Sequence, residues 1–114
     1  MPEEQRLAVS LSVTQAWGLV RDAVLSSGSS VQCVAEYEQH GPGPQVVLLV
    51  FEKYFMRNSS RASLTVLIEN VTGVTQVCVA PSGGGQGAFL RFDWGAGDKF
   101  ATSATDALEG YRLR

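Results

Sequence analysis

The chain has one histidine and two cysteines in 114 residues. Cys33 and Cys78 lack CxxC spacing, and no cysteine or carboxylate stands around His40 as a ligand set. That argues against a zinc site, a disulfide framework or a catalytic dyad built on histidine. The two thiols are expected to pack as small buried hydrophobes in a reducing cytoplasm, and His40 to lie in a surface loop. There is no excess of charge of either sign. A net charge of −2 provides no basic field for nucleic acid. No apolar run reaches membrane length, and the opening residues Met1–Arg6 are acidic and polar, unlike a signal peptide.

What remains is an ordinary globular composition, 45% hydrophobic and 18% charged, enough for one domain with one core. The densest signal runs from Gln45 to Asn70. Val46 to Phe51 is an unbroken apolar run rich in β-branched residues, too short to span a bilayer and poorly suited to a helix. Strand geometry sends Val47, Leu49 and Phe51 to one face and Val46, Leu48 and Val50 to the other. Asn58, Ser59 and Ser60 form a polar turn. Ala62 to Asn70 returns as the partner strand, with Leu64, Val66 and Ile68 opposite Ser63, Thr65 and Leu67.

Around this hairpin the remaining elements follow. Leu7, Val9 and Leu11 alternate with small residues, predicting a strand. Ser12 or Thr14 is placed to cap a helix over Val13–Leu25 whose apolar stripe is Val13, Ala16, Trp17, Val20 and Val24, with Trp17 as a core anchor and Gly28 as the stop. Ser30–His40 alternates as a strand, Gly41–Pro44 breaks it, and Thr75–Ala80 is another, with Val77 and Val79 inward. Ala88–Trp94 reads as a further strand after a glycine-rich loop, and Asp98 as the cap of a last helix reaching Glu109, with Phe100, Ala104, Ala107, Leu108 and Tyr111 on its buried side. The expected fold is α+β: a two-layer sandwich with an antiparallel sheet of five or six strands and two helices on one face, in the order β-α-β-β-β-β-(β)-α. By layout alone this is similar to the TATA-box-binding-protein arrangement, and layout carries no function.

Two helices cover only one face of such a sheet. Val46, Leu48 and Val50, or the alternate set Val47, Leu49 and Phe51, are therefore expected on an open apolar face, with Leu67 able to add to the former, where a second copy, another partner or an apolar ligand would sit. Lys53, Arg57 and Arg61 cluster near one hairpin end, and the bare amides of Gly83, Gly84, Gly85 and Gly87 can cradle an anion. The loop lacks the Lys-Ser/Thr of a P-loop and precedes a strand signal, so a plain hairpin connection explains it as well. Phe89, Phe92 and Trp94 suit a core better than a base-stacking platform, given the missing basic field. No nucleophile–base pair is visible among the scattered carboxylates Glu36, Glu38, Glu52 and Asp93.

Glu52–Thr65, Ser82–Gly87 and Asp93–Ala96 together resemble a family of small bacterial proteins of unknown function. Its members share an EKYxxRNSxxASLT segment, a glycine-rich loop and a WGA segment before the last helix. The resemblance covers roughly residues 45 to 110. It implies a bacterial, cytoplasmic setting and supplies no catalytic residue and no cofactor. The reading that follows is a non-enzymatic cytoplasmic protein, a homodimer or partner-binder through the open face, with neither nucleic acid nor membrane as partner. The alternative is a small-ligand or anion-binding protein, and an enzyme ranks last.

Overall fold

The computed structural model describes residues 5–39, 41–55, 59–83 and 99–113. Strand β1 (Gln5–Val9) is followed by helix α1 (Val13–Leu25), then β2 (Val31–Gln39), β3 (Val46–Phe55), β4 (Ser60–Glu69), β5 (Thr75–Gly83) and helix α2 (Ser103–Leu108). A 3-10 turn, Glu109–Tyr111, continues from α2 and contains Gly110. The expected strand at Ala88–Trp94 lies outside the described residues. The five strands form one antiparallel sheet in the order β1-β5-β4-β3-β2. Consecutive strands β2 to β5 form the expected meander, and β1 joins its far side against β5.

Side-chain alternation decides which face each residue serves. Val47, Leu49 and Phe51 of β3 are fully buried, as are Leu64, Val66 and Ile68 of β4. With Leu7, Val9, Val77 and Val79 they meet Val13, Ala16, Val20 and Val24 of α1 and Phe100, Ala104 and Leu108 beside and on α2, in a single core. Each large aliphatic or aromatic group so buried contributes on the order of 1.5–3 kcal/mol. Both helices therefore lie on the Val47–Leu49–Phe51 side of the sheet.

The ends of the helices differ from expectation in instructive ways. Ser12, not Thr14, caps α1: its hydroxyl accepts from the Gln15 amide while the Gln15 side chain accepts from the Ser12 amide. The helix closes at Ser26, before Gly28. Gly28 has no left-handed backbone. Its role is room, because a Cβ there would lie 3.0 Å from the Lys53 ammonium. Helix α2 begins well after Asp98, which lies outside the described residues. Thr102 holds the cap position without a side-chain hydrogen bond. Phe100, Ala104 and Leu108 are buried as the spacing predicts, whereas Tyr111 is exposed because the 3-10 turn rotates it off the helical stripe.

Trp17 corrects the expectation of a core anchor. Its ring is half-buried at the rim of the core, and its Nε1–H donates to Glu36 Oε2 at 2.7 Å. The indole thus covers the edge of the sheet and spends its one polar atom on β2. Arg21, one helical turn on, pairs with the same carboxylate at 3.3 Å. The cysteines differ too: neither is in a disulfide and neither is fully buried. Cys33 packs on the core side, and Cys78 pairs with Leu67 and Arg6 on the opposite face.

The two sheet edges are treated differently. Along β1 the C-terminal segment returns antiparallel. Ser10 N–H donates to Tyr111 O at 2.9 Å and Leu113 N–H to Ala8 O at 2.8 Å. At the other edge, β2 carries a bulge between Cys33 and Ala35 and the acids Glu36 and Glu38. A bulge and inward-pointing charge both disfavour addition of another strand.

Candidate interaction surface

The face opposite the helices is built from alternate residues of the same strands. The register sets Tyr37, Leu48, Leu67 and Cys78 in one cross-strand row and Ala35, Val50, Thr65 and Ala80 in the next. Val46 stands beyond the first row, paired with Gln39 and Glu69. All four residues expected on the open face, Val46, Leu48, Val50 and Leu67, are there together. Leu67 is 37% exposed and Tyr37 57%. Val46, Leu48 and Val50 are half-buried, as neighbours in a pleated surface shield one another's flanks. Tyr37 was not picked out by the sequence reading for this patch. Its alternation with Ala35 and Gln39 was the available signal, but the β2 bulge shifts the phase and only the paired register locates it.

Polar residues close this patch at both ends of the strands. At one end are Glu69, Gln76 and Gln39; at the other are Glu52, Ser63, Tyr54 and Arg61. Arg61 lies over the Tyr54 ring, 5.9 Å from its centroid, and 3.5 Å from Glu52 Oε1. Glu69 is fixed by the Val71 N–H, which donates to Oε1 at 2.7 Å.

The proposed anion cluster is only partly within the described residues. Arg57, Gly84, Gly85 and Gly87 lie outside them, as do His40, Phe89, Phe92, Asp93 and Trp94. Gly83 is described and pairs with Ala62, next to Arg61. Its φ of +84° is left-handed, and a Cβ there would stand 2.8 Å from the Arg61 carbonyl oxygen. Only glycine satisfies both conditions without displacing backbone. The start of the glycine-rich loop thus meets the end of β4 that carries Arg61.

Lys53 and Arg61, however, leave the sheet on opposite faces. Lys53 pairs with buried Ala62 and Val31 on the helix side, where its ammonium sits 5.2 Å from the Phe55 ring centroid and beside Gly28. That places it just past the C-terminus of α1, where the helix dipole favours a cation. Arg61 points to the open face. A shallow depression at this end is lined by Ser30, Gln32, Glu52, Lys53, Tyr54 and Arg61, so it contains an acid as well as the two bases.

Among the described residues no group of three or more His, Cys, Asp or Glu side chains is placed to hold a metal ion. No described helix is long and apolar enough to cross a membrane. Burial pushes the Cys33 thiol above its ordinary range, with the Glu36 charge adding to the effect and Arg21 opposing it. Its Sγ–H donates to Ala35 O at 3.5 Å.

One family model, described as a family of unknown function (DUF6054), matches residues 4–112. The chain belongs to this family. The match spans the described sheet and both helices, including residues 4–43, which lie outside the sequence resemblance. No curated protein and no solved structure matches the chain significantly. DUF6054 membership therefore brings no substrate or partner to the open face, whose use must be argued from its chemistry.

Proposed function

We propose that this protein acts by association, not by catalysis, and that a second copy of the chain covers the open sheet face. The observation that carries the reading is the contiguous set Val46, Leu48, Val50 and Leu67, with Tyr37 beside it, on the side of the sheet away from both helices. Large apolar groups gathered on one face are unusual on a monomer. The size of the face supports the same reading. Strands of nine and ten residues, spaced by the usual sheet interval, make a surface of roughly 600–700 Å² in flat projection. A stable dimer buries about 800 Å² per partner, and a pleated surface exceeds its projection.

The test is sedimentation equilibrium over a hundredfold concentration range. The expected result is a dimer for the parent chain and a monomer for Leu48→Lys combined with Leu67→Lys, with the far-ultraviolet spectrum unchanged. A monomer at every concentration sinks the reading.

The small-ligand or anion-binding alternative draws its support from Gly83 beside Arg61. It is weakened by the opposite orientations of Lys53 and Arg61 and by the Glu52 carboxylate against Arg61. Equilibrium dialysis with phosphate would revive it if Arg61→Gln abolished binding.

A further inference from the structure

From the phase of the edge strand we infer that the β2 bulge completes the association face: it turns Ala35 and Tyr37 toward the second copy, with Tyr37 as the aromatic anchor of that contact. The inference rests on the association proposed above. A regular register is open to β2. Unbroken alternation would set Val31, Cys33, Ala35 and Tyr37 on the helix side and Gln32, Val34, Glu36 and Glu38 on the other. That is the apolar-in, acid-out arrangement that suits a sheet with one wet face. The structure departs from it. Val31 and Cys33 keep to the core side, opposite Lys53 and Phe51. The bulge at Val34 then shifts the phase. Ala35 and Tyr37 pair with Val50 and Leu48 on the open face, while Glu36 and Glu38 pair with Leu49 and Val47 on the helix side.

This exchange runs against the usual sorting of apolar and charged groups. It sends two carboxylates to the side of the core, and both have partners there. Glu36 accepts from the Trp17 indole and pairs with Arg21 of α1. Glu38 accepts from the Gln45 side chain, which also donates to Thr14 Oγ1 of α1. On the open face the result is an exposed alanine and an exposed tyrosine. In a lone chain the exchange gains nothing, because Tyr37 stands in water; it gains when a second sheet covers the face. Tyr37 extends the row Leu48, Leu67 and Cys78 by one strand, and Ala35 extends the row Val50, Thr65 and Ala80. None of these eight residues is charged, so a second copy of the two rows meets no like charge in them. The Tyr37 hydroxyl donates to Gln39 Oε1 at 3.1 Å, so burying the ring leaves no polar hydrogen unpaired. A stiff aromatic with its polar tip satisfied, packed beside leucines, has the composition of an interface hot spot.

Tyr37→Ser and Ala35→Arg test the inference, since both sites are exposed in the single chain and neither belongs to the core. Sedimentation equilibrium is expected to give each variant a Kd at least about tenfold above that of the parent. Tyr37→Phe keeps the ring and should stay within about threefold of the parent. Circular dichroism of each variant checks the fold. Acetylation with N-acetylimidazole, mapped by mass spectrometry, supplies a readout on the parent chain itself. Tyr37 should react in dilute monomer and be protected above the dimer Kd, whereas Tyr111, exposed in the 3-10 turn after α2, should react in both. Tyr37→Ser or Ala35→Arg pairing as tightly as the parent, Tyr37→Phe as weak as Tyr37→Ser, or a Tyr37 still reactive in the dimer overturns the inference and leaves association standing. The bulge then serves only to blunt the sheet edge. A parent chain that never dimerises removes both.

Discussion

Ser12 stands where β1 gives way to α1, and its hydroxyl satisfies an amide that the helix cannot pair internally. Ser12→Ala should lower stability by about 1 kcal/mol, read as a shift in urea midpoint without a change in slope. Cys33 supports a prediction of a different kind. Its thiol is held in the protonated form by burial and by Glu36, so its folded pKa lies above the ordinary value of a free thiol. A thiol whose folded pKa is raised binds its proton more tightly when folded. Its contribution is present below the unfolded pKa and is lost as pH climbs from about 9 through the folded value. In a Cys78→Ser background, alkylation of Cys33 should therefore show a midpoint above 9.0, and Glu36→Gln should lower it. Both residues were visible in the sequence, but their states were not. Ser12 and Thr14 are equivalent cap candidates until the chain direction at the helix start selects one. Cys33 looked like a buried hydrophobe because a β-strand pattern does not reveal a bulge.

At the scale of elements, the central hairpin carries the fold. Phe51 is fully buried and pairs with Cys33 on one side and Leu64 on the other. Phe51→Ala should cost about 3–5 kcal/mol and leave much of the population unfolded at moderate urea. Strands β4 and β5 and helix α1 were legible because each repeats its apolar residues with a single clear period, β3 because of its unbroken β-branched run, and β2 because it alternates on either side of its bulge. Helix α2 was legible only as a face. Its start was misplaced because Asp98 offers a better cap by chemistry than Thr102, and a short helix pinned by Phe100 and Leu108 depends on packing more than on capping. Trp17 was misjudged for a related reason. Its position on the apolar stripe is correct, but that side of α1 faces the edge strand β2, where Glu36 offers the indole an acceptor.

For the whole molecule, one consequence of pairing is thermodynamic. Association linked to folding makes the melting temperature rise with protein concentration. Differential scanning calorimetry should record an increase over a hundredfold concentration range for the parent chain and none for the Leu48→Lys, Leu67→Lys variant. A parent melting temperature independent of concentration would contradict association.

The sequence by itself determined the strands, the first helix, the single core and the existence of a second apolar face, because these follow from local periodicity. It also placed Val46, Leu48, Val50 and Leu67 on one side. Only the tertiary structure decided which side the helices take, that β1 closes against β5, and that Lys53 and Arg61 part to opposite faces. Those outcomes depend on strand order and register, which are set by how distant segments pack together, and no local pattern encodes the pairing of residues so far apart in the chain.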